Sequence, residues 1–113
     1  MAIEIRDERE AGRLLAVEDG EVAGTIAYFV LADAPHALVA VHTVVEPGRE
    51  GRGIGGELVK AFYEIAAAEG VPVVPLCPYA ARWAGKHPDL APAAPAEVVA
   101  AAKAQLDADP DLW

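Results

Sequence analysis

The sequence is poor in cysteine and in long apolar runs. Cys77 is the only cysteine among 113 residues, which excludes a disulfide bond within the chain and a metal site built from four cysteines. The longest apolar run, 26–32, is much shorter than the ~20 residues that a membrane-spanning helix needs. The first residues alternate between apolar and charged types and contain no apolar stretch of signal-peptide length. We therefore expect a cytoplasmic protein.

Positive charge is also scarce. The chain has 9 lysines and arginines against 18 aspartates and glutamates, which gives a formal net charge of -9. A surface with this charge repels nucleic acids and anionic membranes and tolerates a cationic ligand. We expect neither a nucleic-acid partner nor a membrane partner, and the sequence indicates no particular oligomeric state.

The apolar periodicity predicts an α/β (α+β) fold. Strand-like patterns recur in five stretches: 3–6, 13–18, 21–31, 37–45 and 71–76. Helical spacing occurs in three stretches: 55–69, 78–87 and 96–108. Asp19 and Gly20 predict a hairpin turn, and Gly24 marks a possible β-bulge. The length suits one domain with a modest core, so we expect a single domain over 1–113, in which 91–113 comprise a Pro/Ala linker and a C-terminal helix.

The most informative stretch lies between the fourth predicted strand and the first long helix. Four glycines occupy it: Gly51, Gly53, Gly55 and Gly56. We expect all four to allow positive φ angles and a close approach of the main chain to a ligand. Three of the basic residues also lie here: Arg49, Arg52 and Lys60. Because the free N–H groups at the start of a helix stabilise an anion, the stretch predicts a phosphate site.

Two common phosphate-binding motifs do not fit this stretch. Gly51, Gly53 and Gly56 match G-x-G-x-x-G, but residues 46–50 separate the strand from the first glycine, whereas a dinucleotide fingerprint has a tight turn there. The strand over 71–76 also lacks a terminal acidic residue that would bind a ribose. No Lys-Ser or Lys-Thr follows the glycines, which excludes a Walker loop.

A different motif fits better. Glu-Gly-Arg-Gly-Ile-Gly at 50–55 resembles the Arg/Gln-x-x-Gly-x-Gly/Ala pyrophosphate loop of the GCN5-related N-acetyltransferases. His-Thr-Val-Val at 42–45, Leu-Cys-Pro-Tyr at 76–79 and His-Pro at 87–88 resemble short, single-domain members of that superfamily. The resemblance covers 19–90. It implies a mixed, mostly antiparallel sheet flanked by helices and splayed between strands 4 and 5.

The resemblance also implies a cofactor and its site. Acetyl-CoA is the expected co-substrate and an amine the expected acceptor. The pantetheine arm is expected to pair with the main chain of Val44 and Val45. The pyrophosphate is expected on the loop and the helix start: Arg49, Glu50, Gly51, Arg52, Gly53, Ile54, Gly55 and Gly56. Glu50 departs from the superfamily pattern, in which Arg or Gln is usual.

Arg82 and Lys86 lie four residues apart on one predicted helix face. This spacing places both side chains on the same side of the helix, where they are candidates for a second phosphate of the cofactor. Alternatively, they belong to a solvated helix face. No spacing of histidine, cysteine or acidic residues suggests a metal ligand set, so we expect no metal.

Three residues are candidates for catalysis. In the superfamily, a tyrosine after the fifth strand commonly protonates the departing thiolate, but Trp83 stands there and indole is no useful acid. Tyr79 and Cys77 are the nearest substitutes. Cys77 follows a buried strand and opens a helix, where its pKa is expected to fall and to make it a nucleophile or an acid; alternatively, it is a small buried residue. His42 is a candidate base or a hydrogen-bonded strand residue.

The resemblance therefore implies an acyltransferase that moves an acetyl group from acetyl-CoA to an amine of an unidentified small molecule or protein. Glu46 is a weaker candidate base acting through water, because a solvated loop carboxylate explains it as well. The alternative is a non-catalytic module that binds acetyl-CoA or CoA, or that docks a partner on its last helix.

Overall fold

The computed structural model describes residues 3–31, 36–51 and 53–108. In this part of the chain, five strands form one sheet in sequential order: β1 (Ile3–Glu8), β2 (Arg13–Glu18), β3 (Glu21–Val30), β4 (Leu38–Val45) and β5 (Val73–Pro75). Three helices accompany them: α1 (Ile54–Glu69), α2 (Pro78–Lys86) and α3 (Ala96–Ala108). A short 3-10 turn, Arg9–Ala11, joins β1 to β2.

The sheet is mixed and mostly antiparallel, as predicted. β1 to β4 pair antiparallel with their neighbours, and β5 pairs parallel to β4 after the crossover through α1. Asp19 and Gly20 form the predicted tight turn, with φ angles of 54° and 81°. The register between β2 and β3 shifts so that Ala23 has no partner, which places a bulge beside Gly24.

The two faces of the sheet carry separate apolar clusters. On one face, α1 packs against the sheet through Leu58 and Phe62, and the Phe62 ring meets Tyr28 edge to face at 5.0 Å between ring centroids. On the other face, α3 places Val98 and Ala102 against strand residues such as Val39. Burying each large apolar side chain contributes roughly 1.5–3 kcal/mol, so these contacts fix both helices on the sheet.

The fifth strand is shorter than predicted. The pattern indicated 71–76, but pairing with β4 extends only from Val73 to Pro75. Proline has no backbone N–H to donate to a ladder, and Pro72 and Pro75 bound the paired segment. Pro72 still accepts a hydrogen bond from the Leu38 amide at 3.0 Å. The shortened strand leaves the last residues of β4 without β5 beside them.

The described helices end where the sequence predicts, to within one or two residues. Gly70 ends α1 in a left-handed conformation, and its amide donates to the carbonyls of Ala66 and Ala67.

Among the described residues, none of the helices combines the length and apolar character required to cross a membrane.

Candidate functional site

β4 and β5 separate after three paired residues. The last pair joins Ala40 to Pro75, and the Ala40 carbonyl then accepts from the amides of both Leu76 (3.0 Å) and Cys77 (3.1 Å). β4 itself bulges at Val41, which has no partner on β3, and continues to Val45. Beyond Ala40, no strand of the described chain pairs with the β5-facing edge of β4. This is the splayed geometry that the sequence predicted.

The glycine loop follows β4 and leads into α1. Gly48, Gly51 and Gly53 have positive φ angles of 86°, 79° and 81°. Gly53 precedes the first turn of α1, and no side chain of the described residues caps that turn. The first helical hydrogen bond runs from the Glu57 amide to the Gly53 carbonyl at 3.0 Å. The amides before Glu57 therefore have no acceptor within the helix and favour an anion.

A cleft of about 420 Å³ joins these features. It is lined by residues from β4, the loop, the first turn of α1 and α2: Thr43, Val45, Arg49, Glu50, Gly51, Gly53, Ile54, Gly55 and Tyr79. Most of the cofactor residues predicted from the sequence thus lie in one place. Arg52 lies outside the described residues.

Arg49, one of the basic residues predicted at the loop, is paired with neighbouring carboxylates. Arg49 lines the cleft, but its guanidinium donates to Glu18 at 2.8 Å and lies 3.6 Å from Glu21. Glu18 is only 3% exposed, and its role was not predicted because a glutamate at a strand end is usually solvated. The Glu50 carboxylate accepts from the Gly48 amide at 3.2 Å, within the loop itself. Arg49 therefore fastens the loop to the β2–β3 hairpin.

Two of the four glycines play a different role from the predicted one. Gly55 and Gly56 are helical residues of α1 without positive φ angles, so that part of the prediction is wrong. Tyr79 lies against Gly55, where a Cβ atom would be 2.6 Å from the Tyr79 Cζ. Trp83 lies beside Gly56, where a Cβ atom would be 3.5 Å from the indole nitrogen. The absence of side chains here makes room for two rings of α2.

Cys77 lies at the N-terminus of α2, as predicted. It is buried, and Pro78 follows it as the first helical residue. Its Sγ forms a hydrogen bond with the Thr43 Oγ1 at 3.4 Å. Burial raises the pKa of the Cys77 thiol, but hydrogen bonds from the Thr43 side chain and from the backbone of Ala80, Tyr79 and Thr43 outweigh burial, so the net pKa is below its ordinary value.

The other two catalytic candidates lie on opposite sides of the sheet. His42 is exposed and, because it precedes Thr43, projects from the opposite face of β4. Val44 shares that face and is 53% exposed, so only its main chain is available to the split. Tyr79 is 39% exposed and lines the cleft at the start of α1. The structure therefore places Cys77 and Tyr79 on the α1 side of the sheet and His42 on the other.

A second cleft of about 260 Å³ adjoins the first through Tyr79. Arg82, Trp83 and Lys86 complete its lining. The Trp83 ring stacks on His87 at 4.2 Å and on Tyr63 at 5.9 Å between centroids. The two predicted phosphate anchors thus share one cleft next to the glycine loop. In the described part of the chain, no three histidine, cysteine or acidic side chains are grouped to hold a metal ion.

Comparison with known proteins agrees with this architecture. A family model described as GCN5-related N-acetyl-transferase matches residues 13–93. No curated protein sequence matches the chain. Among solved structures, an aminoglycoside acetyltransferase from an uncultured soil metagenomic sample is 28% identical, with a TM-score of 0.50, over 55% of this chain and 43% of that one.

Two further solved structures share the fold. A ribosomal-protein-alanine N-acetyltransferase from Brucella melitensis biovar Abortus is 22% identical, with a TM-score of 0.56, over 74% of this chain and 62% of that one. An integron cassette protein from the mobile metagenome of V. cholerae is 23% identical, with a TM-score of 0.53, over 75% of this chain and 56% of that one. The chain spans less than two thirds of the length of each of these three structures.

Proposed function

Because the chain belongs to the GCN5-related N-acetyltransferase family, we propose that it transfers the acetyl group of acetyl-CoA to an amine. The observation that carries the proposal is the cleft between the open edge of β4 and the uncapped start of α1, with Cys77 beside it. An extended, thioester-bearing chain with a diphosphate could follow the open strand edge and place the diphosphate at the free amides of the helix start.

The diphosphate is proposed to bind the main chain of the loop and of the first turn of α1. The residues involved are Gly51, Gly53, Ile54, Gly55 and Gly56, with Glu50 at the rim and the predicted Arg52 between the first two glycines. Main-chain N–H groups and the helix dipole supply the attraction, so little net side-chain charge is needed. This explains how the site tolerates Glu50 and an Arg49 held by carboxylates.

The pantetheine arm is proposed to follow the open edge of β4 along the main chain of Val44 and Val45. This orientation directs the thioester toward Ala40, where the strands part and Cys77 lies. At the other end, Arg82 and Lys86 would receive a further phosphate of the cofactor in the second cleft. The two clefts share Tyr79, and one ligand is proposed to span both of them.

The transfer forms a bond between the amine nitrogen and the acetyl carbon and breaks the carbon–sulfur bond to CoA. In a direct transfer, the departing thiolate takes a proton, for which Tyr79 and Cys77 are the nearest donors. In a two-step transfer, the Cys77 thiolate attacks the acetyl carbon and the CoA thiolate leaves; the amine then attacks the enzyme thioester and the Cys77 thiolate leaves. His42 projects from the other face of β4 and is proposed as the base for an amine that approaches from that face.

Acetyl transfer to a panel of amines, followed by mass spectrometry, tests the proposal. A thermal shift with acetyl-CoA is measured in parallel, with S-acetylpantetheine as a matched ligand that lacks the phosphates. The expected results are an acetylated product and a larger shift with acetyl-CoA. Binding without any product would support a non-catalytic CoA-binding module instead, and the absence of both would contradict the proposed function.

The Cys77→Ala variant separates the two routes. If an acetyl-enzyme forms, this substitution nearly abolishes turnover, and intact-protein mass spectrometry of the wild type detects an acetyl group that is missing from the variant. Unchanged turnover in Cys77→Ala would remove the thiol from the mechanism and leave the direct route.

A further inference from the structure

Thr43 is the β4 residue whose side chain contacts Cys77 across the split. It is half-buried, lines the cleft next to Val45, and its Oγ1 lies 3.4 Å from the Cys77 Sγ. Thr43 was not among the predicted site residues, since threonine is a common residue in strands. Its contact depends on two segments that meet only in the folded chain.

Several contacts hold the two side chains in this arrangement. The Cys77 amide donates to the Ala40 carbonyl at 3.1 Å, which ties the cysteine to β4 at the point where the strands part. The bulge at Val41 shifts the alternation of β4, and Thr43 then faces the cleft. On its other side, Cys77 is followed by the first turn of α2, and the Ala81 amide donates to the Cys77 carbonyl at 3.0 Å.

We infer that Thr43 is a positioning residue that orients the Cys77 sulfur and favours its thiolate form. The inference rests on the proposed function, in which Cys77 acts as a nucleophile or proton donor. In the neutral state, the thiol donates to the Thr43 oxygen. When the thiol loses its proton to solvent, the threonine hydroxyl rotates and donates to the sulfur anion. No bond of Thr43 breaks in either state.

The groups that contribute most to the thiolate form are neutral. They are the Thr43 hydroxyl and the backbone of Ala80, Tyr79 and Thr43. Titratable and charged side chains also occur on the elements around Cys77: His42 on β4, Tyr79, Arg82 and Lys86 on α2, and Glu57, Lys60, Tyr63, Glu64 and Glu69 on α1. The largest contributions to the lowered pKa of Cys77 come from the neutral hydrogen-bonding groups and not from these ionisable side chains. Removal of the hydroxyl therefore tests the largest single favourable contribution.

The test is a titration of thiolate absorbance near 240 nm against pH. Cys77 is the only cysteine, so a Cys77→Ala baseline isolates its signal. Thr43→Val removes the hydroxyl and keeps the size and β-branching of the side chain, whereas Thr43→Ser keeps the hydroxyl. We expect the midpoint to rise by about 0.5–1 pH unit in Thr43→Val and to return toward the wild-type value in Thr43→Ser.

An unchanged midpoint in Thr43→Val would overturn the inference, as would a Thr43→Ser midpoint that follows the valine variant. Circular dichroism and thermal melting show whether each variant folds, and Thr43→Ala replaces the valine variant if that one does not. The titration needs no acetyl-CoA and no acceptor. A wild type that transfers no acetyl group would contradict the proposed function and leave this measurement unaffected.

Discussion

The glycine loop and the first turn of α1 line the same cleft but are held in place by different interactions. The loop is fastened by polar contacts, chiefly the ion pair of Arg49 with Glu18 and the bond from the Gly48 amide to Glu50. The first turn is fastened by packing: Ile54 is 2% exposed and belongs to the core cluster under α1. One wall of the proposed phosphate site thus depends on charge and the other on apolar burial.

The glycines of the two regions differ in the same way. Gly51 and Gly53 have positive φ angles, and a Cβ atom at either position would meet nothing within 4 Å. Gly55 and Gly56 are helical, and Cβ atoms there would meet Tyr79 and Trp83. The loop therefore needs glycine for its torsion angles, and the helix needs it for space. One sequence motif combines two physical requirements that alanine substitutions can separate.

The largest effect is expected from the ion pair that fastens the loop. Glu18→Gln removes the negative charge of the buried carboxylate and leaves Arg49 a weaker, neutral acceptor, which should lower the free energy of unfolding by about 1–3 kcal/mol. Glu21→Gln is the matched control, because Glu21 is 75% exposed and lies 3.6 Å from the same guanidinium. Loss of the charge of Glu21 should lower the free energy of unfolding by less than ~1 kcal/mol. Urea unfolding measures both, and equal effects would show that burial of Glu18 does not matter.

The next effect concerns torsion angles in the loop. Gly53→Ala forces a residue with a side chain into a left-handed conformation. The substitution should lower the free energy of unfolding by about 1–2 kcal/mol. Gly53→Asn is the control, because asparagine adopts that conformation more easily and should cost less. The comparison is made by thermal and urea unfolding. If alanine were tolerated as well as asparagine, the φ angle of 81° would not be the reason for glycine here.

Local signals in the sequence predicted most of the fold. Alternation of apolar and polar residues predicted the strands, and the Asp19-Gly20 pair predicted the hairpin. Apolar residues at helical spacing, followed by Gly70, predicted α1 and its end. Each of these signals arises from steric contacts and hydrogen bonds between residues that are close in the chain, so the local sequence is enough to predict them. The placement of Cys77 at a helix start was predictable for the same reason.

The missed features arise from contacts between distant segments. Nothing in the strand pattern distinguishes the buried Glu18 from an exposed glutamate, and its partner Arg49 comes much later in the chain. The bond between Thr43 and Cys77 depends on the bulge in β4 and on the divergence of β5. The roles of Gly55 and Gly56 depend on how α2 packs on α1, which helical periodicity does not determine.

A substitution at Gly56 is expected to stabilise the protein, by less than the two preceding substitutions destabilise it. A Cβ atom there would lie 3.5 Å from the Trp83 indole nitrogen, which is an ordinary contact distance. Gly56→Ala should therefore raise the free energy of unfolding by about 0.5–1 kcal/mol, because alanine loses less backbone entropy in a helix. Gly85→Ala in α2 is the matched control, since nothing lies within 4 Å of its Cβ position. Urea unfolding that showed a loss at position 56 and a gain at position 85 would mean that Trp83 packs more tightly than the structure shows.

The smallest net change is expected at Gly55, where two effects oppose each other. Alanine has a higher helix propensity than glycine and again stabilises α1. However, its Cβ atom would lie 2.6 Å from the Tyr79 Cζ, so the ring must move away. Because Tyr79 is 39% exposed, it can do so, and the two effects should nearly cancel. A double-mutant cycle resolves them: in a Tyr79→Ala background, Gly55→Ala should stabilise by about 0.5–1 kcal/mol, as at Gly56. The same free-energy change in both backgrounds would show that Gly55 does not make room for Tyr79, and the distinction between the two pairs of glycines would then fail at this position.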